Sequence, residues 1–187
     1  MMHVKRFICN PYQECTYLLT DVEGGAYVVD PGMYTETEQT TFLNYLQTQA
    51  ITLRHILITH THADHICGLN LLREHFPDVS VIDADSGSRE GLSLMPMKIL
   101  KTPGHKEDAV CFYFESEKVL FSGDTLFRES IGRTDLEGGD WDKLVISVRQ
   151  LLTLPPATLV YPGHGPSTTI AHERQANPII RLSNTYI

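Results

Sequence analysis

Three imidazoles and a carboxylate fall within positions 60–65 of the run Thr59-His60-Thr61-His62-Ala63-Asp64-His65, directly after the apolar stretch Ile56-Leu57-Ile58. Packing does not explain that density of ionisable groups, which are costly to bury unless paired or bound to a metal. Side chains alternate in an extended segment leaving a strand, so His60 and His62 point to the same side. Asp64 and His65 are adjacent, cannot continue the alternation, and predict a second metal position. Imidazole suits zinc and iron, and a carboxylate adds charge. The plainer alternative is a surface loop of scattered histidines with Asp64 capping a helix.

The rest of the chain narrows the setting. Its 187 residues are read as one domain spanning 1–187, long enough for a substantial core. Hydrophobic content of 42% with 20% charged residues is a globular profile. The formal net charge of −8, without a Lys/Arg run, argues against nucleic acid as a partner. No apolar stretch reaches 18 residues, and the apolar run after Lys5-Arg6 stops at Asn10-Pro11, so neither a membrane span nor a signal peptide is expected. Cys9, Cys15, Cys67 and Cys111 have no paired spacing and are expected as reduced thiols, which places the protein in the cytoplasm. Cys67 is expected as a small buried residue at the start of the following helix.

Strand-like runs recur at His3–Cys9, Thr16–Thr20, Ala26–Asp30, His55–Thr59, Val79–Ile82, Lys98–Thr102, Val110–Phe114, Val119–Ser122 and Thr158–Tyr161. Helical stripes cover Glu36–Gln49 (Phe42, Leu43, Leu46) and Ile66–Phe76 (Leu69, Leu72, Phe76). A third starts at an N-cap, Asp140, and places Trp141, Leu144, Val145, Val148, Leu151 and Leu152 toward a core before Pro155-Pro156 ends it. A sheet-rich, layered α/β domain follows. Three further metal-capable side chains sit in Gly-containing turns after strands: His105 in Thr102-Pro103-Gly104-His105, Asp124 in Ser122-Gly123-Asp124, and His164 in Pro162-Gly163-His164-Gly165.

Taken together, H-x-H-x-D-H, P-G-H, G-D and G-H in this order resemble the metallo-β-lactamase superfamily over nearly the whole chain. That resemblance implies a four-layer αβ/βα sandwich of two mixed β-sheets flanked by helices, with two divalent metals at the strand ends. It assigns His60, His62 and His105 to one metal and Asp64, His65 and His164 to the other, with Asp124 bridging. Zinc is the first expectation, with iron or manganese as accepted occupants. Seven ligands exceed one tetrahedral site but suit two sites that share a carboxylate and a water-derived ligand. Two dications, two Asp carboxylates and a bridging hydroxide leave about one positive charge to stabilise an oxyanion.

Within the superfamily, the Asp-His pair with a bridging Asp resembles the short, single-domain glyoxalase II-like branch, the hydroxyacylglutathione hydrolases; true β-lactamases commonly have Cys at the position of Asp124. The implied reaction is cleavage of an S-lactoylglutathione-type thioester by a metal-bridging hydroxide, with Asp64 and Asp124 catalytic. Arg133, in Gly132-Arg133-Thr134-Asp135, matches a basic position that holds a glutathione carboxylate; pairing with Asp135 is its equal alternative. Other glutathione contacts are missing, since Pro166 stands where that branch usually has a tyrosine. The Gly-Arg-Thr-Asp segment also resembles persulfide dioxygenases, which would hold a single iron through His60, His105 and Asp124. Hydrolysis of another ester or lactone is the remaining alternative. His172 and Glu173, in the tail, are read as structural.

Overall fold

The structure, a computed structural model, describes residues 2–20, 25–86 and 97–183. The chain divides into two compact units, residues 1–87 and 88–187.

The first unit is a mixed five-stranded sheet ordered β1-β2-β3-β4-β5. Antiparallel pairing joins β1 (His3–Cys9), β2 (Glu14–Thr20) and β3 (Gly25–Val29), while β3, β4 (Thr52–Leu57) and β5 (Ser80–Ile82) run parallel. The parallel crossovers carry α1 (Glu36–Thr48) and, after α2 (Ala63–Ile66), α3 (Leu69–His75). Helix α1 starts with a capping box: Thr35 accepts from the Glu38 N–H while the Glu38 carboxylate reaches back to the Thr35 N–H. Its Phe42 and Leu46 join Leu72 of α3 over Leu18, Ala26, Val28, Leu53 and Ile56 of the sheet. The opposite face of the sheet is also buried, at Tyr17, Leu19, Tyr27, Val29 and Leu57. A strand buried on both faces reads as a continuous apolar run, which is why β3 was legible; β4, with Arg54 and His55 at its centre, was expected only from His55 onward.

The second unit repeats the plan with β6 (Lys98–Lys101), β7 (Val110–Phe114), β8 (Val119–Gly123), a short hairpin of β9 (Leu126–Phe127) and β10 (Ser130–Ile131), α4 (Trp141–Leu151), β11 (Leu159–Pro162), β12 (Thr168–Thr169), α5 (Ile170–Ala176) and α6 (Pro178–Ser183). Its sheet order is β12-β11-β8-β7-β6, parallel only between β8 and β11. Helix α4 is capped by Asp140, whose carboxylate accepts the Lys143 N–H at 3.0 Å. It buries Leu144, Val148 and Leu151 against Cys111, Tyr113, Leu120 and Val160. Among the described residues no helix is long and apolar enough to cross a membrane.

Three expectations are corrected. Trp141 is 49% exposed rather than core; it is the first helical residue, and a side chain there leans past the N-terminal end of the stripe. The single helix expected over Ile66–Phe76 is two, α2 and α3, interrupted at Cys67-Gly68. Cys67 ends α2 instead of starting a helix, and is half-buried with its thiol donating to the Ala63 carbonyl. The strands β9, β10 and β12 and the helices α5 and α6 were not anticipated.

Gly104 shows how tightly the second unit seats its ligand turn. Its φ is +137°, and a Cβ there would lie 2.2 Å from the Leu144 backbone nitrogen of α4. Gly104→Ala is therefore expected to destabilise folding by roughly 2–4 kcal/mol. A lower urea midpoint at unchanged m would confirm it, and an unchanged midpoint would show that α4 yields.

Candidate metal centre

Each unit gathers its own share of the candidate ligands at the ends of its strands. In the first, β4 ends at Leu57 and the chain continues extended through Thr59-His60-Thr61-His62 into α2. His60 Nε2 and His62 Nδ1 stand 3.1 Å apart, so the alternation does bring these rings together. His65 Nε2 lies 3.7 Å from Asp64 Oδ2, the second pair expected from the spacing.

The support beneath these rings fixes their tautomers. Asp30, buried at the end of β3 with φ +49°, accepts the Thr59 N–H at 2.7 Å and the Thr59 hydroxyl at 2.6 Å. The same carboxylate lies 3.0 Å from His65 Nδ1, which must therefore carry a proton. The Thr59 hydroxyl has spent its hydrogen on Asp30, so at 3.0 Å from His60 Nδ1 it can only accept. Both imidazoles are left with an Nε2 lone pair. Asp30 lies within 4.8 Å of His60 and His65 as a third donor, yet its oxygens are engaged by Thr59 and His65, which makes it a support and not a ligand.

The second unit builds the matching arrangement. His105 follows β6, Asp124 follows β8 and His164 follows β11, each in a turn whose glycine (Gly104, Gly123 or Gly165) has positive φ. His105 Nδ1 donates to the Arg133 carbonyl at 2.8 Å, again leaving Nε2 as the lone pair. Asp124 Oδ2 is 3.5 Å from His105 Nε2 and 3.6 Å from His164 Nε2. Gly132 makes this possible: a Cβ at that position would meet the Asp124 carbonyl oxygen at 2.0 Å. Phe127 packs edge-on to the His164 ring at 6.3 Å.

These spacings suit metal ligation. Two nitrogens held at about 2.0–2.1 Å by a tetrahedral ion stand about 3.3 Å apart. The four donor–donor separations, 3.1, 3.7, 3.5 and 3.6 Å, cluster around that value. Three rings already have their Nδ1 protons committed to carboxylate, hydroxyl or carbonyl acceptors, the usual support of a metal-bound histidine. The donor set therefore fits divalent metal.

Other residues are placed as follows. Arg133 is exposed and grips Asp135 through two 2.7 Å bonds, so its pairing alternative is realised. That guanidinium holds the Asp135 carboxyl down at about 2. Burial, followed by the Asp64 carboxylate, raises the Cys67 thiol and disfavours a thiolate ligand there. Glu173 is wholly buried and accepts from Glu129 N–H, Thr168 Oγ1 and Asn177 Nδ2, consistent with a structural role. His172 pairs with Glu129 at 2.8 Å.

Sequence reading passed over Asp30, Asn10 and Glu14. Asp30 had a usable signal, a carboxylate ending an apolar strand before Pro31-Gly32. Asn10 donates from Nδ2 to the Gly32 and Asp64 carbonyls at 3.0 and 2.9 Å. Glu14, wholly buried, accepts the Thr16 hydroxyl at 2.8 Å on Oε2, and its Oε1 has no hydrogen bond among the described residues.

The model of the metallo-beta-lactamase superfamily matches residues 10–90 and 82–164. The chain belongs to this superfamily. It is 34% identical to a probable metallo-hydrolase of Streptococcus pyogenes over 95% of this chain and 90% of that one. It is 36% identical to a hydroxyacylglutathione hydrolase of Francisella philomiragia over 87% of this chain and 68% of the relative. Among solved structures, the BLEG-1 B3 metallo-beta-lactamase superposes with TM-score 0.85 at 31% identity, covering 95% of this chain and 99% of that one. TTHA1623 in a di-iron-bound form follows with 0.82 at 34%, covering 94% and 100%. ETHE1 from Myxococcus xanthus gives 0.83 at 30%, covering 95% and 84%. The expected fold class, two mixed sheets flanked by helices, is thereby established, and membership of the superfamily supports a metal-dependent hydrolase.

Two outcomes follow. Asp30→Asn places an amide N–H against His65 Nδ1 and favours the tautomer that blocks Nε2, so metal affinity is expected to fall about 10–100-fold in chelator competition. Unchanged affinity would remove Asp30 from this role. Burial, the largest influence on Glu14, raises its carboxyl well above the usual range. The folded state then binds a proton that the unfolded chain releases near its ordinary pKa, so stability falls as pH rises through and beyond that value. In chelator, Glu14→Gln should stabilise the protein more at pH 8 than at pH 5 by urea denaturation; equal effects at both pH values would contradict it.

Proposed function

We propose that the protein hydrolyses thioesters of the S-acylglutathione type, with S-lactoylglutathione as the reference substrate, at a dinuclear centre. By the family pattern His60, His62 and His105 hold one divalent ion, Asp64, His65 and His164 the other, and Asp124 both. The observation that carries this reading is the single Asp124 oxygen lying 3.5 and 3.6 Å from two imidazole nitrogens, a spacing that would suit a carboxylate shared between two ions. The 36%-identical hydroxyacylglutathione hydrolase supports the substrate class. The di-iron form of TTHA1623 supports iron as an occupant beside zinc.

Ions in this set supply hydroxide from water near neutral pH and a Lewis acid for the thioester carbonyl. The protein's own residues do the positioning. Asp64 would help to hold a metal, and its carboxylate would orient the attacking water. Asp30 and the Arg133 carbonyl keep the ligand tautomers in place through the reaction. Arg133 already presents its fork to a carboxylate, that of Asp135, and exchanges it for a glutathione carboxylate as substrate arrives. No serine or cysteine nucleophile is required.

A second reading, oxidation of a persulfide at one iron held by His60, His105 and Asp124, rests on the two-His-one-carboxylate subset and the Gly132–Asp135 segment. Metal analysis and anaerobic turnover of S-lactoylglutathione on one preparation separate the two. The hydrolase reading expects about two metals per chain and thiol release without oxygen. A single iron with sulfite formed only in oxygen would overturn it. Asp124→Ala is expected to lower kcat at least about a hundredfold. Arg133→Ala should raise KM for glutathione thioesters about tenfold while sparing a small neutral ester. Asp135→Ala, which frees the guanidinium, should lower that KM; parallel effects on both substrates would end the recognition role of Arg133.

A further inference from the structure

His105 and Asp124 leave the sheet of the second unit after β6 and β8, strands that do not pair with each other because β7 lies between them. Strands two places apart lie about 10 Å from each other. Both residues sit past the ends of their strands, so no ladder bond fixes how near the two side chains come.

Three buried side chains cross that gap. The Thr125 hydroxyl donates to Thr102 Oγ1 at 3.1 Å, so the hydrogen of Thr102 goes to Cys111 Sγ, 3.3 Å away on β7. The Cys111 thiol in turn donates to the Ser122 carbonyl at 3.5 Å, and that carbonyl also accepts the Thr125 N–H at 3.0 Å. The bonds therefore close into a loop around Gly123-Asp124 that passes through the turn carrying His105. Thr102 and Cys111 each donate once and accept once in it, so deleting either group leaves a buried neighbour without its partner.

The backbone of the His105 turn is held separately. The Thr102 N–H donates to the Ala109 carbonyl at 2.9 Å, the Ser147 hydroxyl to the Pro103 carbonyl at 2.7 Å, and the Asp140 N–H to the Gly104 carbonyl at 2.7 Å. What the side-chain loop adds is a tie to the Asp124 turn. Resting on His105 and Asp124 being metal ligands, though not on the thioester, we infer that Thr102, Cys111 and Thr125 are positioning residues. They set the 3.5 Å approach of Asp124 Oδ2 to His105 Nε2. Without the loop the two donors are less ordered beforehand, and part of the binding free energy then goes to ordering them.

Thr102→Val removes the central hydroxyl at nearly constant volume, and Cys111→Ala removes the thiol. Thr102→Ser and Cys111→Ser keep a group that both donates and accepts. The control is Thr158→Val, at a buried threonine of the same unit whose hydroxyl has no hydrogen bond among the described residues. Each full-length protein is stripped with chelator and loaded with Co²⁺. Affinity is read by chelator competition, ligand geometry by the visible d–d absorption, and stability of the metal-free protein by urea denaturation. Thr102→Val and Cys111→Ala are expected to weaken Co²⁺ binding about 10–100-fold and to shift the absorption band. The serine variants should regain most of that loss, and the control should match wild type. Should Thr102→Val fail to fold, the Cys111 pair decides. Variants that lose stability but keep wild-type affinity and absorption overturn the inference, as do serine variants no better than their apolar counterparts. A wild type that binds no Co²⁺ overturns the metal reading and this inference with it, whereas a wild type and variants that bind alike overturn this inference alone.

Discussion

The buried carboxylate of Asp30 is the interaction on which the first half of the site depends. It takes two hydrogen bonds from Thr59 and a third from His65 Nδ1, and so determines which nitrogen of two imidazoles is basic. An isolated carboxylate in this position would be costly. Three donors offset that cost, and the same bonds stop β3 and join it to the histidine run. Because the run begins where β4 ends, the regular sheet supplies the rigidity that the ligands themselves lack.

The second unit solves the same problem with a neutral acceptor. The Arg133 carbonyl does for His105 what Asp30 does for His65, and Gly132 allows the chain to come close enough to Asp124 for that carbonyl to reach. One residue type therefore links the ligand, its support and the loop that presents the Arg133 side chain. The hairpin between Asp124 and Gly132 is anchored in turn by Glu173, which accepts the Glu129 N–H, so helix α5 bears on the geometry of the candidate ligands.

Much of this was legible in the sequence because it follows from local rules. Period-two alternation paired His60 with His62, and glycine turns after apolar runs marked His105, Asp124 and His164. What escaped depends on closures between distant residues. Asn10 meets Asp64 across 54 positions and Gly32 across 22, and no spacing rule connects them. The break between α2 and α3 has the same origin: the Gly68 N–H bonds the Pro31 carbonyl at 2.7 Å, and a Cβ there would meet that oxygen at 3.0 Å. A helical stripe running through Ile66 and Leu69 cannot reveal that contact. Trp141 was misread because hydrophobic periodicity says which side of a helix faces the core, but not where the core ends along its axis.

The first unit also separates what must stay fixed from what is free to vary. Asp30, Thr59 and His65 are buried and satisfy one another, so a change at any one of them disturbs tautomer and charge together. The side chains of Tyr12 and Tyr34 project from backbones that are held by other residues, Asn10 and Glu38. Replacing either ring leaves those hydrogen bonds in place, since they use only the tyrosine N–H groups. A change at either ring position therefore leaves the backbone around Asp64 undisturbed, whereas a change at Asp30, Thr59 or His65 does not.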